Sequence, residues 1–284
     1  MHTIPQTFAR RELSLDEAEF AVLGIPYDSS ESYRTGSRFG PSAIREASRD
    51  LEDYDMEEDF DLLGLKICDL GDVEVSFGNF DETCKRATET ISEILKHGVA
   101  PVCLGGEHIL TYFSATALEK NTFFVIYDAH LDYREDYLEN RFSHASVTRR
   151  IAEEVGPENI LVIGVRSVSK EELKDAKKDG LEFITTLEFY KDKKGTFKRI
   201  SDLTTSRRVY LSIDLDVIDP AEASGVCNPD PGGIYYKDII ESFSFLKGCK
   251  LEGLDICELA PAYDSYSQIL AAKLVYKALA VYKG

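Results

Sequence analysis

Carboxylates and imidazoles are the ionisable groups of three short runs that each follow an apolar, β-branched stretch. The runs are Gly105-Gly106-Glu107-His108, Asp128-Ala129-His130-Leu131-Asp132 and Ser212-Ile213-Asp214-Leu215-Asp216. Alternate residues of an extended chain point the same way, so Asp128, His130 and Asp132 can aim at one point, as can Asp214 and Asp216. Four aspartates at one place repel by about 4 kcal/mol per close pair at an effective dielectric of about 20, so something positive must sit among them. Two divalent cations balance four carboxylates, where one would leave the site over-negative, and an ion pair of this kind activates water for attack. Hard oxygen ligands with a little imidazole and no thiolate favour manganese or a similar ion over a structural zinc. Three of the five histidines, His108, His130 and His144, fall inside or beside these runs, whereas His2 and His97 read as ordinary polar residues. Asp128 or Asp132 alone would read as a helix N-cap, and it is their number that points to metal.

The elements that must carry these residues follow from hydrophobic patterning. From Phe20 onward short apolar runs alternate with longer stretches of helical period, the signature of an α/β fold. The expected architecture is a three-layer α/β/α sandwich around a central eight-stranded parallel sheet. Strands are predicted at 20–23, 63–67, 99–104, 123–128, 160–165, 181–184, 209–215 and 251–258. Helices are predicted at 41–48, 80–96, 143–154, 169–178, 237–246 and 267–282. No repeat or flexible linker interrupts the alternation, so residues 1–284 read as a single domain. Three non-periodic pieces, 26–40, 133–141 and 219–233, each follow a strand. Ligands in such sheets collect outside the carboxyl ends of the strands, where these loops and the acidic runs converge.

Composition excludes several classes. The formal charge of −18 repels nucleic acid and attracts small cations. No apolar run approaches the roughly 20 residues needed to cross a bilayer, so no membrane role is expected. Residues 1–14 contain no apolar signal segment, which points to the cytoplasm, and the six scattered cysteines read as buried thiols without disulfides.

Ordered motifs along nearly the whole chain resemble the ureohydrolases, a family that includes arginase, agmatinase and guanidinobutyrase. They run from Gly36-Ser37-Arg38-Phe39-Gly40-Pro41-Ser42-Ala43-Ile44-Arg45 and Asp69-Leu70-Gly71-Asp72-Val73, through the three acidic runs and Ser143-His144-Ala145-Ser146, to Pro229-Asp230-Pro231-Gly232-Gly233 and Asp255-Ile256-Cys257-Glu258-Leu259-Ala260-Pro261. By that resemblance His108, Asp128, Asp132 and Asp214 would hold one Mn2+ ion and His130, Asp128, Asp214 and Asp216 a second, with Asp128 and Asp214 bridging. Glu258 would pair with the substrate guanidinium, and His144 would give a proton to the departing amine. Homotrimers or homohexamers are also implied.

The stretch from Tyr133 to Ser143, with Arg134, Tyr137, Leu138 and Asn140 before Ser-His, is most similar to agmatinases, implying agmatine as substrate and urea and putrescine as products, a step of polyamine biosynthesis. Arg134 stands where arginase has an asparagine that holds the substrate carboxylate. It either turns away into an ion pair, with Glu135 or Asp136 as partner, or marks a guanidino acid such as 4-guanidinobutyrate. Two departures from the family pattern are Cys227-Asn228 before the Pro-Asp-Pro-Gly-Gly run and Glu107 for the commoner aspartate. The same ligands could serve a regulatory metal-binding protein without catalysis, or a phosphoesterase. The complete ligand set with His144 and Glu258 opposes the first, and the lack of a phosphate-cradling glycine loop opposes the second.

Overall fold

A computed structural model of the protein describes residues 4–283, so His2 lies outside the described residues. The apolar runs form β1 (Phe20–Ile25), β2 (Ile67–Asp72), β3 (Ala100–Gly105), β4 (Phe123–Tyr127), β5 (Ile160–Val165), β6 (Glu182–Thr185), β7 (Arg208–Asp214) and β8 (Lys250–Cys257). They pair in the order β2-β1-β3-β8-β7-β4-β5-β6, every pair parallel, which is the eight-stranded sheet expected. A small hairpin, Tyr54–Asp55 with Phe60–Asp61, stands apart from it.

Parallel strands covered on both faces need apolar side chains in both directions, and alternate residues divide between two cores. Val22, Val125, Tyr127, Leu211, Ile213, Leu254 and Ile256 join one, while Ala21, Leu23, Phe124, Ile126, Tyr210 and Cys257 join the other. The first core is closed by α1 (Gly40–Ser48), α6 (Thr186–Lys191), α7 (Lys193–Thr204), α8 (Tyr236–Phe243) and α9 (Ser267–Lys283). The second is closed by α2 (Phe80–Lys96), α3 (Leu110–Ala117), α4 (Val147–Val155) and α5 (Lys170–Asp179). Each large apolar side chain so buried stabilises the fold by roughly 1.5–3 kcal/mol. No helix among the described residues is long and apolar enough to cross a membrane. The six cysteines are free thiols, with Cys84 and Cys249 only partly buried.

The strand predicted at 63–67 is displaced. Leu62–Gly64 forms a 3-10 turn, begun by the Asp61 carboxylate accepting the Leu63 N–H, and the strand starts at Ile67. It runs on through Asp69 and Asp72, acids that an apolar-pattern reading avoids. They are tolerated because the Arg45 guanidinium on α1 meets Asp69 at 2.8 Å and Asp72 at 2.5 Å. The helix expected at 143–154 is a 3-10 turn, His144–Ser146, leading into α4, and 237–246 likewise ends as a 3-10 turn, Ser244–Leu246. Helices α3, α6 and α7 were not anticipated. Ile109 before α3 offers no capping side chain, α6 is only six residues long, and α7 follows it directly at Asp192 with no loop between them.

Four neighbouring strands in the middle of the sheet, β3, β8, β7 and β4, carry the chemistry. His108 follows β3, Glu258 follows β8, Asp214 ends β7 and Asp128 follows β4. The turn after β3 is tight: a Cβ on Gly106 would lie 2.0 Å from the Tyr27 carbonyl oxygen. Gly106→Ala is expected to destabilise the protein by about 2 kcal/mol or more, because rigid backbone rather than a flexible side chain must move. Urea denaturation measures this, and an unchanged midpoint would show that the turn yields freely.

Candidate metal centre

Each acidic run spends one carboxylate oxygen on the backbone and turns the other inward. Asp128 Oδ1 accepts the His130 N–H at 2.6 Å, Asp214 Oδ1 accepts the Asp216 N–H at 2.9 Å, and Asp216 Oδ1 accepts the Ala129 N–H at 3.2 Å. The remaining oxygens face two imidazoles. His108 Nδ1 lies 3.0 Å from Asp128 Oδ2, 3.2 Å from Asp214 Oδ2 and 3.5 Å from Asp132 Oδ2. His130 Nδ1 lies 2.9 Å from Asp216 Oδ2 and 3.6 Å from Asp128 Oδ1. Two ligand-like groups result, His108 with Asp128 and Asp132, and His130 with Asp128 and Asp216, each with its donor atoms within 4.8 Å of one another. Asp128 belongs to both.

This convergence does not come from extended-chain alternation, as the sequence reading supposed. β4 stops at Tyr127, and Asp132 adopts φ +49°, in the left-handed region. Beyond Asp214 the chain bends into the 3-10 turn Leu215–Val217. The Arg166 guanidinium holds that turn, donating to the carbonyls of Asp216 at 2.7 Å and Val217 at 3.2 Å. Turns aim the side chains, and backbone N–H groups lock them. Glu258 also sits at positive φ, +63°, and a non-glycine residue held there costs of order 1–3 kcal/mol.

The donor set has the form of a cation cage. Ser212 Oγ donates to Asp255 Oδ1 at 2.8 Å and lies 3.0 Å from His108 Nε2. With the hydroxyl proton committed to Asp255, Ser212 accepts the Nε2–H and leaves Nδ1 a lone pair, the arrangement typical of a ligating histidine. His108 Nδ1 and Asp128 Oδ2 are buried without a hydrogen-bond partner, as is Glu258 Oε2. Burial, then the charge of Asp128, pushes the Asp132 carboxyl up to about 7. Burial and then the charges of Asp216 and Asp128 raise Asp214 well above the usual carboxylate range. Burial opposes charge on His108 and His130, yet the surrounding acidic groups drive both above the imidazole range. These atoms require positive charge among them, and oxygen with imidazole nitrogen suits a hard divalent ion.

A cavity of about 310 Å³ opens above the centre, with His130, Asp132, Asp214, Asp216, His144 and Glu258 in its lining. Burial and then the charges of His130 and His108 lower His144 to about 4. Ser32, Arg134 and Asn228 also line this cavity, one from each of the three non-periodic loops, which therefore meet here. All eight predicted residues, His108, Asp128, His130, Asp132, His144, Asp214, Asp216 and Glu258, stand in or directly beneath this one site. His97 ends α2, exposed, near Asp16.

Arg134 does not pair with Glu135 or Asp136. Its Nε lies 3.6 Å from Glu172 Oε2, its guanidinium packs over the Tyr137 ring, and Glu135 is occupied by Arg141 and Arg149. Glu172 escaped the sequence reading because it also forms the capping box of α5 with Ser169. Ser30, whose Oγ accepts the His144 N–H, escaped because it carries no ligand pattern, whereas Glu107, which accepts the Ser30 N–H, was noted only as a departure from the family pattern.

The Arginase family model matches residues 18–281. An agmatinase of Pyrococcus horikoshii is 37% identical over 270 residues, covering 93% of this chain and 92% of its own. A guanidinobutyrase of Pseudomonas aeruginosa is 31% identical over 286 residues, covering 95% and 88%. The solved structure of an agmatine ureohydrolase of Thermoplasma volcanium superposes with a TM-score of 0.91 at 37% identity, covering 98% and 94%. With an eight-stranded parallel sheet of this topology and relatives that match end to end, the chain belongs to the Arginase family and is a ureohydrolase.

Proposed function

We propose that the enzyme hydrolyses agmatine to urea and putrescine, using two Mn2+ ions held by His108, Asp128, Asp132 and Asp214 on one side and His130, Asp128, Asp214 and Asp216 on the other. The observation that carries this reading is the convergence of inward-facing donor atoms, among them His108 Nδ1 and Asp128 Oδ2, that are buried without a hydrogen-bond partner. Bound ions of this kind supply an activated water and neutralise the carboxylates around them.

The chain's own residues do the rest. Glu258 Oε1 accepts the His108 N–H at 2.6 Å, while Oε2 has no partner, so the guanidinium N–H groups have a free, fixed acceptor at the cavity floor. That contact orients the plane of a poor electrophile and draws its positive charge toward the centre. His144, lining the same cavity, takes up the proton released by the attacking water and passes it to the amine nitrogen as the C–N bond breaks.

The tail of the substrate would meet another part of the cavity lining, which includes Glu172 and Arg134. Glu172 is fixed there, accepting the Tyr133 N–H at 2.7 Å and the Ser169 N–H at 3.2 Å, and is only 4% exposed. Arg134 is a longer side chain with an exposed portion and can swing away, leaving an anchored carboxylate for a tail ammonium. Similarity to agmatinases supports the same choice. The second reading is 4-guanidinobutyrate, favoured by Arg134 lining the cavity and by the similarity to a guanidinobutyrase.

Manganese-loaded protein is expected to release urea from agmatine much faster than from arginine or 4-guanidinobutyrate. A preference for the guanidino acid would move the assignment to the second reading. Asp128→Asn is expected to lose most bound manganese together with activity, as read by metal analysis of the dialysed protein, and full occupancy in that variant would contradict a shared ligand.

In chelator the protein is expected to lose thermal stability with rising pH. Burial and then Asp128 raise Asp132 to about 7, and burial raises Glu107 to about 8 against the hydrogen bonds from Ser30. A carboxyl raised by folding contributes stability that is full below its ordinary value and lost as pH climbs through its folded value, here between about 4 and about 8. Added manganese should reverse the trend above neutral pH. A flat melting temperature in chelator across that window would remove this account of the cluster's electrostatics.

A further inference from the structure

Around Glu258 stands a second group of donor atoms that the proposed chemistry does not use. Glu31, Cys227 and Glu258 each bring one ligand-capable atom, and the three atoms lie within 4.8 Å of one another. Glu31 comes from the loop after β1, Cys227 from the loop beyond β7 and Glu258 from the end of β8. Cys227 is fully buried and Glu258 is 2% exposed. Ser32 and Asn228, one residue beyond Glu31 and Cys227, line the cavity together with Glu258, so an ion has a path to this place. Cys227 also belongs to one of the two departures from the family pattern.

All three side chains are held before any ligand arrives. Glu31 accepts the backbone N–H of Gly36 at 3.0 Å and that of Ser37 at 3.2 Å. The Cys227 N–H reaches the Glu258 carbonyl at 3.3 Å, and Arg34 Nη1 donates to the adjoining Val226 carbonyl at 3.3 Å. Cys227 Sγ donates to Glu31 Oε1 at 3.1 Å. Glu258 Oε1 is committed to the His108 N–H, whereas Oε2 is buried with no partner.

Two carboxylates this close, one with an unfilled acceptor, favour a cation beside them. A guanidinium is recognised by the Glu258 carboxylate, and a thiol adds nothing to that contact. Sulfur with two carboxylates suits a borderline ion such as zinc, which accepts both donor types in one tetrahedron. With Zn–S of about 2.3 Å and Zn–O of about 2.1 Å, sulfur and oxygen stand roughly 3.6 Å apart on that tetrahedron. The 3.1 Å between Sγ and Glu31 Oε1 opens to this with a small shift.

We propose that Glu31, Cys227 and Glu258 form an inhibitory zinc site, separate from the binuclear centre, in which the ion takes the carboxylate that the substrate guanidinium needs. Its effect on turnover rests on the role given to Glu258 above. Binding breaks the Cys227 S–H bond, releases the proton to water and forms a metal–sulfur bond, with no change of oxidation state. A water completes the four ligands. Manganese, a harder ion, keeps to the aspartate cage, so the two metals sort by donor type.

Two measurements test it. The first is independent of turnover: manganese-loaded full chain is titrated with cadmium, which shares zinc's preference for sulfur and shows an ultraviolet sulfur-to-metal charge-transfer band. One equivalent is expected to give the band in the native protein and in Cys257→Ala but not in Cys227→Ser, with manganese content unchanged. Glu31→Gln, a milder change, is expected to weaken cadmium binding by about tenfold or more. No band in the native protein, or a band kept in Cys227→Ser and lost in Cys257→Ala, overturns the proposal.

The second follows urea release from agmatine. Added zinc is expected to raise KM while leaving kcat unchanged, and Cys227→Ser to need about tenfold or more zinc for the same rise. Equal sensitivity of the two proteins, or a fall in kcat at constant KM, overturns the proposal. If the native enzyme releases no urea from any guanidino compound, the hydrolytic reading fails, and the cadmium band still decides whether the site exists.

Discussion

Buried carboxylates of like charge, turned inward at one edge of a sheet, are the constraint around which this molecule is organised. Asp128, Asp132, Asp214 and Asp216 are at most 6% exposed and share one small volume. At about 4 kcal/mol per close pair, their repulsion exceeds what any single surrounding contact contributes. Two features keep them together. Backbone N–H groups bind the outer oxygens of Asp128, Asp214 and Asp216, and the inner oxygens address imidazole nitrogens whose positions are set from behind. Both features come from elements at the carboxyl ends of adjacent parallel strands, the one place where several turns can present such groups to a common point.

The support is layered in the same way. His108 is aimed by Ser212, and Ser212 by Asp255, a buried acid on β8 that reaches no ion-like cluster itself. Glu258 is oriented by the His108 N–H and by its own left-handed backbone, so its free oxygen is a consequence of the metal-side architecture rather than an independent feature. Moving any strand among β3, β8, β7 and β4 relative to its neighbours would disturb several of these contacts together. Farther along the sheet the buried Asp69 side chain is accommodated by Arg45, which also meets the exposed Asp72.

The parts of this arrangement that were readable in the sequence are those in which residue type alone carries the meaning. Runs such as 160–165 are apolar throughout because both faces of the sheet are covered, and the strand there begins and ends as the pattern implies. The six candidate metal ligands announced themselves by clustering acids and imidazoles next to such runs, whereas the roles of His144 and Glu258 came from the family resemblance. Less readable were features that depend on a distant partner. β2 carries Asp69 and Asp72 only because Arg45 lies across from them, and α3 begins without any capping signal. Ser30 is one of two adjacent serines in a polar loop, and nothing local distinguishes it from its neighbour Ser29; its meaning arises from His144 and Glu107, far away in the chain. Arg134 illustrates the same point, since its partner Glu172 reads locally as a helix cap.

The thiol beside the centre shows how the protein keeps the chemistry of its cage hard. Cys257 Sγ falls with His108 and Asp214 within one ligand-sized group, a soft donor that the sequence reading did not place there. Bound as thiolate it would tilt the site toward zinc or another thiophilic ion. Burial, outweighing the nearby His108 charge, drives its pKa well above the ordinary thiol range, and its S–H is directed to the Ile213 carbonyl at 3.7 Å. Without an ion the sulfur is thus held protonated and turned to the backbone, whereas a bound thiophilic cation would lower its pKa and recruit it as a donor.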